Sequence, residues 1–224
     1  CAHCARPFEP ARRDAQFCSV ACRVAAHRRK NGAKSRTFSP RAPLIRNEIA
    51  ALFVEARGVY FDLGADVWDI DRDAKGYSGP FPVVAHPPCG PWSRLRGLST
   101  RQDRTCGPRA VELVRQYGGV LEHPKHSGLF DACGMPRPGE FPDRWGGRTI
   151  EVNQSDWGHP AQKATWLYFV GTGIPPLVPR GPAPTRRFSD MHRREASATP
   201  PRFAEYLVAL AGTVLERDSL RFPP

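Results

Sequence analysis

The chain has 224 residues, 40% of them hydrophobic, and a formal net charge of +11. This length holds one domain of ordinary size plus a small accessory module. No run approaches the ~20 consecutive apolar residues of a membrane span, and the chain opens on polar, cysteine-containing sequence without the pattern of a signal peptide. These features predict a cytoplasmic protein with no membrane association.

The positive charge is concentrated at the N-terminus. Residues 1–46 carry 11 Lys or Arg against two acids, whereas residues 47–224 carry 22 against 20. Basic segments bind nucleic acid by neutralising phosphates, so the N-terminal piece is predicted to contact DNA. The alternative is a solvated basic tail.

Four of the seven cysteines fall in the first 22 residues, in the spacing C-x2-C-x13-C-x3-C. Two close pairs separated by a short excursion suit a tetrahedral zinc site, whereas an odd cysteine count does not suit a disulfide framework. The predicted ligands are Cys1, Cys4, Cys18 and Cys22. We therefore predict a zinc module over residues 1–30, a basic linker over 31–46 and a larger domain over 47–224.

The larger domain opens with mixed signals. Residues 47–58 have the apolar spacing of a helix, although a strand is equally compatible with their centre. Residues 59–63 and 65–70 are rich in β-branched and aromatic side chains, which is typical of strands. Asp69, Asp71 and Asp73 lie at or just past the end of the second of these runs. An acid at the end of a strand in a Rossmann-like sheet binds ribose hydroxyls, although a solvated acidic loop is an equal alternative.

A buried strand is predicted at residues 81–85, FPVVA, followed at once by Pro87 and Pro88. Cys89 comes directly after the two prolines. Ligands of open α/β sheets bind beyond the carboxyl ends of the strands, so Cys89 is placed as a nucleophile would be. The alternative is a small apolar cysteine that fills a loop.

A second buried strand, GGVLEH at residues 118–123, ends in Glu122. It follows a predicted helix over residues 108–118, which has Gly118 as its stop. The two strands deliver Cys89 and Glu122 to the same edge of the sheet, and a buried carboxylate there indicates a role because burying it unpaired is costly.

Two more strands are predicted at residues 150–153 and 164–170, and a final helix at 202–216. Phe203, Leu207 and Leu210 share one face of that helix, and Thr199 with Pro200 supplies its N-cap and first position. Strands and helices in this order predict an α/β fold with a mostly parallel sheet flanked by helices.

The order of these segments resembles the cytosine-5 DNA methyltransferases over about residues 50–215. The likeness rests on Pro87-Pro88-Cys89, on Glu122 at a strand end, on the turn Trp157-Gly158-His159-Pro160 and on the lead-in to the last helix. It is closest to short methyltransferase-like proteins of phages and prophages. The resemblance implies a Rossmann-like methyltransferase fold acting in the cytoplasm of a bacterial host.

The resemblance also implies a mechanism. The target pyrimidine is flipped out of the DNA, Cys89 adds to C6, and Glu122 holds the N3 edge while C5 attacks the methyl group of S-adenosylmethionine. The implied cofactor contacts are Phe53, Gly58, Asp69, Asp71 and Pro87. The implied substrate and DNA contacts are Pro88, Arg94, Arg96, His123, His159 and Lys163.

The chain departs from the family in two places. The family's cofactor loop has the form Phe-Ser-Gly-x-Gly-Gly, whereas residues 53–58 here contain one glycine. A different group donor, or a non-catalytic zinc-finger DNA-binding protein with a degenerate domain, are therefore alternatives. Only about residues 171–198 are available for target recognition, so sequence specificity is expected from the zinc module, the basic loops or a protein partner.

Overall fold

The protein's structure, a computed structural model, describes residues 48–93, 103–174, 181 and 183–219. These residues belong to one of the two units into which the chain divides, Pro43–Pro224. The predicted zinc module at residues 1–30 and the linker at 31–46 lie outside the described residues.

Six strands and five helices make up the described part of the chain. The strands are β1 (Ala50–Leu52), β2 (Asp66–Trp68), β3 (Val83–Ala85), β4 (Gly119–Pro124), β5 (Arg148–Asn153) and β6 (Ala164–Val170). The helices are α1 (Val59–Asp62), α2 (Cys106–Tyr117), α3 (Gly128–Ala132), α4 (Arg193–Ser197) and α5 (Pro201–Ser219). No helix among the described residues is long and apolar enough to cross a bilayer.

The strands form one sheet in the order β2-β1-β3-β4-β6-β5. β1 pairs in parallel with β2 and β3, and β3 pairs in parallel with β4. β6 is antiparallel to both of its neighbours, β4 and β5, so it runs against the other five strands. The carboxyl ends of five strands and the start of β6 therefore meet at one edge, which we call the carboxyl edge. This α/β sheet is compatible with the predicted Rossmann-like fold.

The sheet buries a hydrophobic layer on each face because successive side chains of a strand point to opposite sides. The layer under α2 and α3 contains Ala85 and Leu121. The layer under α1 and α5 contains Val84 and Val120. By the same alternation, Glu122 faces the α5 side of the sheet and His123 faces the α2 side.

Two glycines allow the chain to reverse between α2 and β4. Gly118 ends α2 as predicted, with φ of 77° and its N–H donated to the carbonyl of Val114 at 2.9 Å. A Cβ on Gly119 would lie 2.0 Å from the carbonyl oxygen of Val83. Only glycine therefore fits where β4 begins against β3.

The predictions of β2 to β6, α2 and α5 are confirmed in kind. Phe203, Leu207 and Leu210 of α5 are buried as predicted. The helix begins at Pro201, one residue before the predicted range 202–216 and one residue after the predicted first position, and the carbonyl of Pro200 accepts the amides of Phe203 and Ala204. Pro200, and not Thr199, is thus the residue before the first turn.

The prediction for residues 59–63 is wrong. They form the single turn of α1, in which the amide of Leu63 donates to the carbonyl of Val59 at 3.0 Å. Tyr60 is buried at 2% exposure whereas Phe61 is 60% exposed. Burial of one aromatic ring beneath α5 decides the local structure over the strand propensity of the segment. The preceding run forms a strand, β1, which was the second of its two interpretations.

Candidate active site at the carboxyl edge

The loop after β3 presents Cys89 at the carboxyl edge. Pro87 is buried and Pro88 is half-buried, so the two rings anchor a loop that has already left the ladder. The carbonyl of Cys89 accepts the N–H of Trp92 at 3.0 Å, which closes the 3₁₀ helix Gly90–Trp92. Cys89 is exposed, so it does not fill the core.

Glu122 lies at the same edge because β3 and β4 are parallel neighbours. Ala85 is opposite Leu121 in the register, so the residues that follow, His86 and Glu122, stand side by side. Both side chains are largely buried, at 13% and 12% exposure. The sheet thus brings Cys89 and Glu122 to adjacent strand ends and adds a histidine that the sequence analysis does not single out.

His86 connects Glu122 to α1. One ring nitrogen, Nδ1, lies 3.2 Å from Oε2 of Glu122. The other, Nε2, lies 2.6 Å from the hydroxyl of Tyr60. The Tyr60 and His86 rings also pack against each other, with centroids 5.3 Å apart. Both nitrogens of the imidazole are therefore occupied by polar side chains from different elements.

Gln154 holds the other oxygen of Glu122. Its Nε2 donates to Oε1 of Glu122 at 2.7 Å and to Oγ1 of Thr165 at 3.0 Å. Gln154 is 1% exposed, and its own Oε1 has no hydrogen-bond partner among the described residues. We call Tyr60, His86, Glu122, Gln154 and Thr165 the edge network.

The excursion between β5 and β6 returns Lys163 to Gln154. The amide of Gln154 donates to the carbonyl of Lys163 at 3.1 Å. The amide of Lys163 donates to Oδ1 of Asn153 at 2.9 Å, and the same oxygen accepts the amide of Ser155 at 3.3 Å. One asparagine therefore fixes both ends of the excursion and sets the ammonium of Lys163 near the carboxylate of Glu122.

The edge network holds a charged carboxylate next to a neutral phenol. Burial alone would raise the pKa of Glu122, but the hydrogen bond to His86 and the charges of His86 and Lys163 outweigh it and lower that pKa to about 2. Burial, with the Glu122 charge second, raises the pKa of Tyr60 well above its usual 10. At neutral pH, Glu122 is an acceptor and Tyr60 keeps its proton.

A pocket of about 220 Å³ opens beside Cys89. It is lined by Cys89, Ser93, Pro124, Lys125, His126 and Ser127. Lys125 forms an ion pair with Glu151 at 2.6 Å, and the His126 ring packs edge-on against Trp166 at 5.1 Å. Glu122 is not among the lining residues, so the pocket and the edge network are neighbouring features at the ends of β3 and β4.

The five predicted cofactor contacts also gather at this edge. Phe53 and Gly58 follow β1, Asp69 and Asp71 follow β2, and Pro87 follows β3. Asp69 is half-buried and uses Oδ1 to accept the amides of Asp71 at 3.1 Å and of Arg72 at 3.0 Å. Asp71 is exposed. The three strands concerned are adjacent in the sheet, so the positions are compatible with one binding site.

The loop after β1 does not fit S-adenosylmethionine in the way a glycine-rich loop does. The amide of Phe53 donates to the carbonyl of Trp68 at 2.9 Å, and the amide of Gly58 donates to that of Glu55 at 3.0 Å. A Cβ added to Gly58 would meet the Glu55 carbonyl at 3.3 Å, so its own turn fills that space. Neither of these two amides remains for a ligand.

Two of the predicted DNA contacts are buried. His123 is 0% exposed on the α2 side of the sheet, and His159 is 3% exposed with Nδ1 2.8 Å from the carbonyl oxygen of Ala161. Burial lowers the pKa of His123 to about 4, against a smaller opposing effect of Glu122. Neither side chain reaches solvent in this structure, whereas Lys163 is half-buried and lies at the edge.

Other predicted site residues lie outside the described residues, so their placement stays a prediction. These are Arg94, Arg96, Cys1, Cys4, Cys18 and Cys22. Within the described ranges, no three His, Cys, Asp or Glu side chains are grouped to hold a metal ion.

No protein-family model matches the sequence, and no curated protein matches it significantly. The candidate site therefore rests on its own geometry. Sequence reasoning misses Tyr60 and His86, although His86 carries one signal. His86 is the first residue after a buried strand, and parallel pairing of that strand with the next one places it beside Glu122.

Proposed function

We propose that this chain is a transferase that modifies C5 of a pyrimidine in DNA, with methyl transfer to cytosine as the form implied by its resemblance to the cytosine-5 methyltransferases. One observation carries the proposal. The exposed Cys89 follows β3, and the ionised Glu122 lies near the end of the adjacent parallel strand β4, at the same carboxyl edge. Ligands of open α/β sheets bind at this edge.

The two residues have complementary tasks. C6 of a pyrimidine is electrophilic, so the Cys89 thiolate adds there and forms an Sγ–C6 bond. The electron pair of the C5–C6 double bond then moves toward N3, and C5 becomes nucleophilic once N3 has taken a proton. Glu122 addresses the N3 edge of the base. After C5 reacts with an electrophile, loss of the C5 proton restores the double bond and expels Cys89.

The donor of the transferred group is left open in this proposal. The predicted S-adenosylmethionine contacts share one edge, yet the amides of Phe53 and Gly58 are already bonded within the protein. No step is therefore assigned to that cofactor. Its binding is testable by the shift of the thermal unfolding midpoint when S-adenosylmethionine is added.

The decisive experiment does not presuppose a donor. Addition of Cys89 makes C5 nucleophilic even without an electrophile, so C5 exchanges its hydrogen with solvent. DNA incubated with the chain in deuterated water should yield deoxycytidine one mass unit heavier, and C89S should abolish the exchange. No exchange in any cytosine- or uracil-containing DNA would overturn the proposal. Mass analysis of nucleosides from DNA of expressing cells would identify the transferred group.

A second candidate function is a non-catalytic DNA-binding protein with a degenerate transferase domain. The bonded amides of Phe53 and Gly58 after β1 favour it, because a domain that has lost its cofactor keeps its sheet although its binding loop no longer fits the cofactor. Binding of DNA without C5 exchange and without a modified nucleoside would establish this function instead.

The N-terminal residues are assigned to DNA delivery in the same proposal. Cys1, Cys4, Cys18 and Cys22 hold zinc, and the basic residues after them contact phosphates in the cytoplasm of a bacterial host. Metal analysis should find one zinc per chain, and replacing Cys18 and Cys22 with Ser should abolish it. Because phosphate contacts release counterions, the affinity for DNA should fall steeply with salt.

A further inference from the structure

The chemistry proposed above leaves one requirement without a source. When Cys89 adds to C6, N3 gains electron density and must take up a proton. Glu122 is the residue at the N3 edge, yet its pKa of about 2 leaves it ionised and without a proton to give. A carboxylate that stayed charged would repel the electron density arriving at N3. A second group must therefore supply the proton.

His86 lies directly behind the carboxylate. Its Nδ1 is 3.2 Å from Oε2 of Glu122, and imidazole is the side chain whose ordinary titration range spans neutral pH. The two side chains are 13% and 12% exposed, so bulk water competes little for the proton between them. The register that places Ala85 opposite Leu121 imposes this contact.

Tyr60 suits both protonation states of His86. Its hydroxyl is 2.6 Å from Nε2, and a phenol can donate to a neutral nitrogen or accept from a protonated one. The raised pKa of Tyr60 keeps its own proton in place. When the Nδ1 proton moves to Glu122, Nε2–H still donates to the Tyr60 hydroxyl and Nδ1 accepts from the protonated carboxyl, so both ring nitrogens are paired while the proton is on Glu122.

We propose that His86 is a positioning residue that acts through Glu122, supplying the proton that N3 of the target base takes up when Cys89 adds to C6. As the Sγ–C6 bond forms, the proton on Nδ1 passes to Glu122 and from Glu122 to N3. The imidazolium becomes neutral and Glu122 ends as the carboxylate it was. When the Sγ–C6 bond breaks, the proton returns by the same route. This inference rests on the proposed function.

Among the described residues, three other titratable groups act on the pair. Tyr60 faces His86 from α1, Lys163 lies before β6, and His123 follows Glu122 on the opposite face of β4. Lys163 and His123 act on the Glu122 charge through space, whereas the side chains that hydrogen-bond the carboxylate are His86 and Gln154. Gln154 holds Oε1 but has no titratable proton. His86 is therefore the proton donor in contact with Glu122.

The test follows C5 exchange in DNA against pH for the whole chain and for H86Q, Y60F and H192Q. Glutamine keeps a donor for Glu122 but cannot titrate. We expect H86Q to slow exchange about 100-fold and Y60F about tenfold, with the exposed His192 control unchanged. The wild-type rate should rise and then fall with pH, because the step needs a thiolate on Cys89 and a proton held by the His86–Glu122 pair. H86Q should lack the fall.

Two results would overturn the inference. One is an H86Q chain with the wild-type profile, and the other is an H86Q rate reduced equally at every pH, which a purely structural role would produce.

The same experiment separates the two levels of the argument. A wild-type chain that exchanges no C5 hydrogen removes the proposed function and the inference with it. A chain that does exchange, and whose H86Q variant gives either of the two results above, removes the inference alone.

Discussion

Two networks in this protein each contain a largely buried carboxylate, a tyrosine and a nitrogen-containing cationic side chain. The side chain that contacts the carboxylate is a histidine in one network and an arginine in the other. The edge network holds Glu122 with His86. The second network holds Asp143 with Arg115, at 10% and 12% exposure, close to the values of the first pair. Histidine can give up its proton near neutral pH and arginine cannot. The first network is therefore suited to proton transfer and the second to holding structure.

The second network, which we call the loop network, consists of Arg115, Asp143, Trp145 and Tyr168. Arg115 donates to Asp143 at 3.1 Å and to the Tyr168 hydroxyl at 3.2 Å, and its guanidinium lies 3.7 Å from the Trp145 ring centroid. The hydroxyl of Tyr168 donates to Asp143 at 2.8 Å. These contacts fasten the segment between α3 and β5 to α2 and β6.

The loop network is also closed by packing. Oδ1 of Asp143 accepts the amides of Trp145 at 3.0 Å and of Gly147 at 2.8 Å. A Cβ on Gly147 would lie 2.2 Å from the hydroxyl of Tyr168, so glycine is required there. The Asp143 carboxylate is therefore held by a guanidinium, a hydroxyl and two backbone amides. The comparison predicts that damage to one network changes chemistry and damage to the other changes stability.

The largest expected effect separates the two carboxylates. E122Q should slow C5 exchange in DNA by about 10³-fold, because a neutral amide can neither hold nor pass the proton for N3. D143N is the matched isosteric control, and its rate per folded molecule should equal that of the wild type. Equal losses in the two variants would erase the distinction between the networks.

The next effect is on stability. R115M should lower the free energy of unfolding by about 3–5 kcal/mol, because it leaves the Asp143 carboxylate buried without its cation. Urea denaturation followed by circular dichroism measures this change. The C5 exchange rate of the folded fraction should stay at the wild-type value, and a parallel loss of exchange would assign the loop network to the site.

The pH dependence of stability tests the edge network independently of DNA. The pKa of Glu122 falls from its ordinary 4.5 to about 2 on folding, so the unfolded chain binds more protons between these values. The contribution, on the order of 3 kcal/mol, is present above pH 4.5 and is lost as pH falls toward 2.

Burial of His123 creates a second and higher window. Its pKa falls from 6.5 to about 4, so its contribution is present above pH 6.5 and is lost on the way to pH 4. Denaturant titrations between pH 7 and 2 should show both losses in the wild type. E122Q should remove the lower one only, and an unchanged lower loss would contradict the assignment to Glu122.

The smallest effect concerns the second tyrosine. Y168F should cost about 1–2 kcal/mol of unfolding free energy, because the ring stays buried while the hydrogen bonds of its hydroxyl to Asp143 and from Arg115 are lost. C5 exchange should not change. Thermal or urea unfolding beside the exchange assay checks both statements, and a slowed exchange in Y168F would show that the networks are coupled.

Much of the fold is predictable because its strands are written as short apolar runs. The runs at β3, β4, β5 and β6 are bounded by prolines, glycines or polar turns, and each of them forms the predicted strand. α1 is the exception. Residues 59–63 have strand composition, but burial of the Tyr60 ring stabilises the helical turn more than the strand propensity of the neighbouring residues opposes it.

The candidate site divides along the same line. Cys89 and Glu122 are predictable because Cys89 comes after one apolar run and Glu122 comes at the end of another. The ends of such runs can be identified from the sequence. The contact between His86 and Tyr60 spans 26 residues and depends on where α1 packs. The hydrogen bond between Arg115 and Tyr168 spans 53 residues and depends on two layers of packing. Side-chain networks of this kind require the register, which periodicity alone does not supply.

The reversed direction of β6 has a mechanical consequence. β5 ends at the carboxyl edge, and β6, which runs in the opposite direction, begins there. The excursion between them therefore leaves β5 at Gln154 and reaches β6 at Lys163. Oδ1 of Asn153 accepts the backbone amides of Ser155 and Lys163, at the two ends of that excursion. The side-chain amide of Gln154, which donates to Glu122, and the ammonium of Lys163, which lowers the pKa of Glu122, are therefore held in one unit. A displacement of the excursion would therefore change both the hydrogen bond from Gln154 to Glu122 and the position of the Lys163 charge relative to that carboxylate.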